Sequence, residues 1–394
     1  MIPSLLPTYS RAPLRFVRGH GSWLETEDGR RFVDLGAGIA VNILGHAAPE
    51  LVSALTDQAG KLWHVSNLYD IPLQQKLADR LVELTFADTV FLTNSGTESC
   101  ELAVKMARKY WHEKGTPERN VILTFEGAFH GRSSAGIAAS GGEKMVGGFA
   151  PILEGFRKLG FGDLDALETE IRKADVAALL IEPVQGEAGI RPVPEEDLKR
   201  LRALCDETGV LLILDEVQSG VGRTGRLFAH ELAGITPDIM MVAKGIGGGF
   251  PLGGVLATAE AASGMTLGTH GTTYGGNPLA CSVALAVLDK VGEPAFLDAV
   301  AAKGEALTKR LEALVEAHPG VFTAVRGPGL MIGLVCTVPN TEVVAACYDT
   351  GVIVIPAGNN VVRLLPALNI GEDDLAEGLA RIDAAAKRIE ENAA

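Results

Sequence analysis

Two charged side chains come directly after apolar runs, where a buried reactive site would need them. Lys244 follows the apolar run 239–243, and Asp215 follows the run 210–214. A lysine held away from water has a lowered pKa, and its neutral amine reacts with aldehydes to form Schiff bases. A buried carboxylate can pair with a cationic ring nitrogen. For each residue taken alone, an ordinary solvent-exposed charge stays open as an alternative.

A candidate phosphate site follows the apolar run 90–93. The motif NSGTE at 94–98 opens a helical pattern, and Ser95 and Glu98 have the spacing of a capping box. The free backbone N–H groups of a first helical turn bind anions such as phosphate. Taken alone, the motif is more simply explained as an ordinary helix start.

Two further loops carry side chains suited to a planar, anionic ligand. Phe129 offers an aromatic face for stacking, and Arg132 in the same loop offers a planar fork for a carboxylate. The loop 270–277 supplies two adjacent hydroxyls, those of Thr272 and Thr273, between glycines. A surface ion pair for Arg132 and a simple turn for the second loop are the alternatives.

Together these groups match the needs of pyridoxal phosphate (PLP). The lysine would bind the aldehyde, the aspartate would keep the pyridine nitrogen protonated, and the helix N-terminus would bind the phosphate. The glycine tract after Lys244 lacks the G-x-G-x-x-G pattern between strand and helix, which argues against a nucleotide-dependent oxidoreductase. A non-catalytic binding protein with the same fold is a further alternative.

Short apolar runs alternate with amphipathic helical patterns, and these elements must position the candidate groups. Strands are predicted at 90–93, 121–125, 176–181, 210–214, 239–243 and 254–257, and a helix at 195–208. The alternation predicts an α/β fold with a mainly parallel central sheet and helices on both faces. Because ligands bind at the carboxyl ends of parallel strands, the candidate residues should meet at one edge.

The pattern divides the chain into three parts. Residues 1–45 form an N-terminal segment that is expected to pack with the small domain and contains a hairpin at 22–25 and 31–34. Residues 46–284 form the large PLP-binding domain, and residues 285–394 a small α+β domain. In the latter, helices are predicted at 294–318, at 341–350 and from 373, and strands at 321–325, 331–335, 352–355 and 361–365.

Composition limits the partners and the compartment. The 394 residues carry a net charge of −14, which argues against nucleic acid or an anionic membrane surface as a partner. The longest apolar stretches are too short to span a bilayer, and the proline-broken N-terminus lacks a signal-peptide pattern. Five widely spaced cysteines without a C-x-x-C pair indicate neither disulfides nor zinc. We therefore expect a cytoplasmic protein without a metal site.

Eight motifs in this order resemble those of the class III PLP-dependent aminotransferases along nearly the whole chain. They are SNLY (66–69), NSGTE (94–98), FHGR (129–132), EPVQGE (182–187), DEVQ (215–218), Lys244 with its glycine tract, TYGGNP (273–278) and RLLP (363–366). The resemblance implies the type I fold of PLP-dependent transferases. It also implies a homodimer whose active site lies at the subunit interface.

The resemblance assigns roles around the cofactor. Lys244 corresponds to the catalytic lysine that binds PLP and moves the proton, and Asp215 to the partner of the pyridinium. Thr273 is expected to reach the phosphate bound by the neighbouring subunit. The other expected cofactor contacts are Ser95, Gly96, Thr97, Phe129, His130, Glu182, Val217 and Gln218.

Four residues are implied in substrate recognition: Arg132, Glu187, Thr272 and Arg363. Arg132 would bind the α-carboxylate of an acylated donor and the distal carboxylate of glutamate, and Arg363 the α-carboxylate of the dicarboxylate. Glu187 would pair with Arg363 while the ω-amino donor is bound, because an uncovered buried guanidinium is costly. Thr272 stands where serine is often found, and it is expected near the acyl group.

The activity that the resemblance implies is ping-pong transfer of the δ-amino group of N2-acetylornithine to 2-oxoglutarate, in arginine biosynthesis. The expected products are N-acetylglutamate 5-semialdehyde and glutamate. Other donors of the same class stay open as alternatives: N-succinyl-diaminopimelate, succinylornithine, ornithine and 4-aminobutyrate.

Overall fold

The computed structural model describes residues 3–393 of the chain. Within that range the strands are β1 (Phe16–His20), β2 (Trp23–Thr26), β3 (Arg31–Asp34), β4 (Thr89–Thr93), β5 (Val121–Phe125), β6 (Phe156–Leu159), β7 (Val176–Ile181), β8 (Val184–Gln185), β9 (Arg191–Pro192), β10 (Leu211–Asp215), β11 (Ile239–Val242), β12 (Gly253–Ala257), β13 (Phe322–Arg326), β14 (Ile332–Cys336), β15 (Val352–Ile353), β16 (Ile355–Ala357) and β17 (Val361–Leu364). The helices are α1 (Ala37–Ala40), α2 (Pro49–Ala59), α3 (Pro72–Leu84), α4 (Gly96–Glu113), α5 (Ser134–Ser140), α6 (Glu143–Val146), α7 (Leu164–Glu170), α8 (Glu195–Thr208), α9 (Pro278–Val291), α10 (Pro294–Ala317), α11 (Asn340–Thr350) and α12 (Glu372–Ala393). Of these, α1 is a single distorted turn in which Gly38 and Ile39 have left-handed backbone angles.

Seven strands form the central sheet, in the order β4-β12-β11-β10-β7-β5-β6. All run parallel except β12, which is antiparallel to both of its neighbours, β11 and β4. The predicted mainly parallel sheet is confirmed, and the six predicted strands agree with the observed ones to within one residue at each end. The edge strand β6 was not predicted, because its sequence Phe-Arg-Lys-Leu places two charges side by side.

The strands at the centre of this sheet pack against helices on both faces. In β7, Leu180 belongs to the apolar cluster that contains Leu102 of α4, whereas Leu179 belongs to the cluster that contains Leu198 of α8. Burial on both faces explains why β7 is apolar throughout. Helix α8 has its predicted bounds, and its three acidic residues in the first turn suit the positive end of the helix dipole.

Two four-stranded sheets lie outside the central sheet. The predicted N-terminal hairpin is observed as β2 and β3, and the sheet order β1-β2-β3-β15 shows that a C-terminal strand completes it. The second sheet, β13-β14-β17-β16, is antiparallel. The prediction of one strand at 352–355 is wrong, because the chain passes from the first sheet to the second at Val354, between β15 and β16.

The C-terminal helices were predicted closely: α10, α11 and α12 begin at or within one residue of the expected positions. Helix α9 runs through the predicted domain boundary at 284/285, and the division into three parts stays a prediction. Among residues 3–393, none of the helices is both long and apolar enough to span a lipid bilayer.

Candidate active site

A cavity of about 340 Å³ opens at the carboxyl ends of β4, β5, β7, β10 and β11. Ligands bind at this edge of open α/β sheets. The structure brings eleven of the predicted site residues together in the wall of this cavity: Ser95, Gly96, Thr97, Phe129, His130, Glu182, Glu187, Asp215, Val217, Gln218 and Lys244.

The last residue of β10, Asp215, is buried and forms an ion pair with His130. Its Oδ2 lies 2.8 Å from His130 Nδ1, and its Oδ1 accepts a hydrogen bond from the Val217 N–H at 3.0 Å. Burial disfavours the imidazolium, but the hydrogen bond and negative charge of Asp215 outweigh it and raise the pKa of His130. Each carboxylate oxygen has two lone pairs, so the aspartate can still accept from a cationic ring nitrogen.

Glu182, directly after β7, joins two loops at the cavity. Its Oε1 accepts from the Phe129 N–H at 2.9 Å, and its Oε2 accepts from the Gly186 N–H at 3.2 Å. Burial, and to a lesser degree the charge of Asp215, raises the pKa of Glu182 to about 7. The carboxyl group therefore fixes the backbone beside the aromatic ring of Phe129 and changes its charge near neutral pH.

Lys244 begins a short turn just after β11 and lines the cavity. Burial lowers the pKa of its ammonium group to about 8. Its φ of 47° lies in the left-handed region, which a residue with a side chain adopts at a cost of about 1 kcal/mol or more. Such strain clusters at functional sites, and the lowered pKa makes the neutral, nucleophilic amine accessible at neutral pH.

The N-terminus of α4 forms one end of the cavity. As predicted, Ser95 caps the helix, its hydroxyl accepting from the Glu98 N–H at 3.3 Å. The reciprocal bond of a capping box is absent, because Glu98 Oε2 accepts from both the backbone and the side-chain amide of Asn94, at 2.7 and 2.9 Å. The N–H groups of Gly96 and Thr97 belong to the first turn and have no partner within the helix, which suits an anion.

Arg363, in β17, lies behind the cavity wall and is 1% exposed. Its Nη1 donates to Glu187 Oε1 at 2.7 Å and to Gln218 Oε1 at 3.3 Å. The expected contact between Glu187 and Arg363 is therefore present. Because Glu187 and Gln218 both line the cavity, movement of the Glu187 side chain would open the guanidinium to a ligand.

Three other predicted residues lie outside the cavity wall. Arg132 is exposed, and its guanidinium carbon lies 5.5 Å from the centroid of the Phe129 ring. Thr272 and Thr273 lie in the loop before α9, where Thr272 Oγ1 accepts from the Gly275 N–H at 3.1 Å. Thr272 Oγ1 also accepts from the side-chain amide of Asn94, a residue of the cavity wall, at 3.4 Å, but neither threonine lines the cavity itself.

The cavity wall also contains residues that were not predicted. Phe250, Pro251 and Leu252 come from the end of the glycine tract, whose unusual composition was an available signal. Val41 comes from the N-terminal segment, directly after the distorted turn α1. Nothing in the sequence distinguishes Val41 from other small apolar residues, so its place could not be inferred.

The residues around the cavity fit PLP. The backbone is packed closely at two glycines: a Cβ at Gly96 would lie 2.9 Å from Val217 Cγ1, and one at Gly131, where φ is +117°, would lie 2.7 Å from Thr97 Oγ1. Among residues 3–393, no hydrogen-bond partner exists for the buried Nε2 of His130. The cavity is thus lined by a helix N-terminus suited to a phosphate, by the carboxylate of Asp215, by the ring of Phe129 and by the amine of Lys244, and its volume suits a small ligand.

Comparison with known proteins identifies the family. The model of aminotransferase class-III matches residues 7–386. An acetylornithine aminotransferase from Rhodobacter capsulatus is 65% identical over 390 residues, which are 99% of each chain. The N-acetylornithine aminotransferase structure from Stenotrophomonas maltophilia K279a is 40% identical, covers 98% of each chain and has a TM-score of 0.86. A Toxoplasma gondii ornithine aminotransferase structure with partial PLP occupancy at its active site is 29% identical, covers 98% of this chain and 93% of that one, and has a TM-score of 0.94. These similarities confirm the predicted fold, and the chain belongs to the class III aminotransferases.

Proposed function

We propose that this protein transfers the δ-amino group of N2-acetylornithine to 2-oxoglutarate, giving N-acetylglutamate 5-semialdehyde and glutamate, as a step of arginine biosynthesis. The observation that carries the proposal is the buried guanidinium of Arg363, which lies behind the cavity wall and is covered at 2.7 Å by Glu187, a residue of that wall. Such a pair lets one site accept two unlike amino donors in turn.

Class III aminotransferases depend on PLP, which supplies an electron sink when it is bound. We assign Lys244 to the cofactor aldehyde and to proton transfer at the substrate carbon, since this half-buried residue lines the cavity and the pKa of its amine is lowered. Asp215, oriented by His130, would hold the proton on the pyridine nitrogen. Phe129 would offer its aromatic face to the ring.

The remaining cofactor contacts follow from their places in the cavity wall. The helix start at Ser95, Gly96 and Thr97 would bind the phosphate, as free N–H groups at a helix N-terminus do. Val217 and Gln218 line the same cavity and would contact the ring and its 3-hydroxyl, and Glu182 fixes the loop that carries Phe129.

Arg363 and Glu187 act as an electrostatic gate in this proposal. When the ω-amino donor is bound, its apolar chain faces Arg363, and Glu187 neutralises the guanidinium. When glutamate or 2-oxoglutarate is bound, its α-carboxylate takes the place of Glu187, whose side chain is 39% exposed and can move into solvent. Arg132, at the rim beside Phe129, binds the α-carboxylate of the acylated donor and the distal carboxylate of glutamate or 2-oxoglutarate.

The acetylated donor is supported by the 65% identity to an acetylornithine aminotransferase over the whole chain. Ornithine is the second candidate, because the backbone matches an ornithine aminotransferase with a TM-score of 0.94. Steady-state kinetics with acetylornithine, ornithine, N-succinyl-diaminopimelate and 4-aminobutyrate separates the donors. We expect the highest kcat/KM for acetylornithine, and a higher value for any other donor would contradict the assignment.

We further propose that the protein is a homodimer in which Thr273, and Thr272 beside it, complete the partner subunit's site. The loop that carries them lies against the segment around Asn67, whose side-chain amide donates to the Thr272 carbonyl at 3.1 Å. Together these two segments present a cluster of exposed apolar side chains, which a second copy of the chain would bury: Leu62, Trp63, Leu68, Tyr69, Leu267 and Tyr274.

A hybrid dimer tests the shared site. We expect Lys244→Ala and Thr273→Ala chains each to be impaired, and a co-expressed hybrid to regain one intact site, because both substitutions then fall in the other site. A hybrid without recovered activity would refute the shared site, and a monomer by light scattering would refute the dimer. We also propose a cytoplasmic location, which the five buried, unpaired thiols support.

A further inference from the structure

A second arginine near the site is buried without an acidic partner. Arg223 is 0% exposed, and its Nη1 donates to the backbone carbonyls of Leu330 at 3.0 Å and Pro366 at 2.6 Å. Its Nε and Nη2 have no partner within residues 3–393. Burial alone lowers the pKa of this guanidinium to about 9. Burying a cation whose only partners are carbonyl groups costs folding free energy. An apolar side chain of similar volume often gives a packed interior the same stability or more.

The two carbonyls belong to segments next to β17, the strand of Arg363, and next to β14, the strand that pairs with it. Leu330 precedes β14, and Pro366 follows β17. These two strands pair with each other, and Gly333 of β14 lies opposite Arg363 of β17. The Leu330 N–H also donates to the Arg223 carbonyl at 3.0 Å. Arg223 therefore holds the ends of both strands at the level of Arg363 with one planar side chain.

Arg223 itself lies in the loop that follows Asp215 at the end of β10. The buried carboxylate of Glu216 accepts from the Ser219 hydroxyl at 2.6 Å and from the N–H groups of Ala229 and His230 at 2.9 and 2.8 Å, so the loop is rigid. Gln218 in the same loop accepts from Arg363 at 3.3 Å. The loop thus contacts Arg363 directly through Gln218 and its strand through Arg223.

We propose that Arg223 is a positioning residue that fixes Arg363 relative to the end of β10, and that it thereby sets the affinity for the dicarboxylate substrate. This assignment rests on the role proposed above for Arg363. A guanidinium suits the task because it donates to two carbonyls in a fixed geometry, which neither a methionine nor a lysine ammonium reproduces. The acylated donor does not contact Arg363, so its binding should depend little on Arg223.

The test compares Arg223→Met and Arg223→Lys with Arg226→Met, a matched change at an exposed arginine of the same loop. In the holoenzyme we expect Arg223→Met to raise the KM for glutamate and 2-oxoglutarate at least about tenfold, as a misplaced binding group does. The KM for acetylornithine should change less than about twofold. Calorimetric titration with glutarate, which binds without reacting, should show the same rise in Kd. The KM for glutamate and the Kd for glutarate of Arg223→Lys should lie between those of Arg223→Met and the unmodified protein. Both constants of Arg226→Met should equal those of the unmodified protein.

A purely structural role predicts a different result, in which the melting temperature falls but the KM values for both substrates change by the same factor or not at all. That outcome overturns the proposal. If Arg223→Met does not fold, Arg223→Lys decides, since an unchanged glutarate Kd in that variant also overturns it. Failure of the proposed donor is separable, because glutarate titration and the glutamate half-reaction do not involve acetylornithine.

Discussion

Removing the charge of Glu187 should move the two half-reactions in opposite directions. Arg363 is 1% exposed and is held by Glu187 at 2.7 Å. A hydrogen bond between charged groups contributes about 1.5–3 kcal/mol; a glutamine oxygen can still accept from Arg363 but carries no charge, and the half-exposed position of Glu187 places the loss at the lower end. About 1.5 kcal/mol corresponds to a roughly tenfold decrease in kcat/KM for acetylornithine in Glu187→Gln. For glutamate the substrate carboxylate no longer competes with Glu187, so KM should fall by up to about tenfold.

The assay measures each half-reaction separately, by single-turnover absorbance of the bound cofactor with acetylornithine or with glutamate. Glu195→Gln, at an exposed glutamate in the first turn of α8, is the control and should leave both half-reactions unchanged. The reasoning is refuted if the rates with both substrates fall by the same factor, because that result indicates general damage to the site and not a gate.

Three further changes test other parts of the site and the fold. Lys244→Ala should keep the fold by circular dichroism but lose the cofactor trapped by borohydride in mass spectrometry, and trapping at another lysine would disprove its assignment. Because burial raises the pKa of Glu182 from 4.5 to about 7, the folded state loses stability relative to the unfolded chain as pH rises from about 4.5 to 7. Glu182→Gln should therefore gain stability relative to the unmodified protein as pH rises from about 4.5 to 7, by at most about 3 kcal/mol in urea unfolding and with no further gain above about pH 7.5, and a pH-independent difference would contradict this. The pKa of His318 is raised, because hydrogen bonds from its ring to two carboxylates outweigh its burial, so its stabilising effect is complete below pH 6.5 and lost at higher pH. His318→Gln should lower the melting temperature at pH 6 and much less at pH 9.

The sequence predicted the parts of the molecule in which local pattern and tertiary structure agree. The strand that ends at Asp215 is fully buried and therefore apolar throughout, and its end is marked by a charge. The same reasoning located Lys244 and the helix start at Ser95. Because all three follow parallel strands, their meeting at one edge of the sheet could be predicted before the structure was known.

Features that depend on partners distant in sequence could not be predicted. The edge strand β6 has no apolar run, since one side of an edge strand has no neighbouring strand and tolerates charges. Val354 joins strands of two different sheets, and the run 352–357 is too short to show the break. Arg223 looks like any loop arginine, because the Leu330 and Pro366 carbonyls that surround it come from more than 100 residues further along the chain.

The antiparallel strand β12 constrains the order in which the protein can fold. Within residues 3–393, β12 is the only strand that pairs with β4, and Phe91 pairs with Val255, which lies 164 residues later in the chain. During synthesis, β4 and the start of α4 therefore leave the ribosome before β12, and β4 can join the sheet only after β12 has emerged. Such high contact order slows folding. The side of the cavity formed by the start of α4 is therefore completed only after the segment that carries Lys244 has been synthesised. A nascent chain that lacks this segment cannot bind PLP.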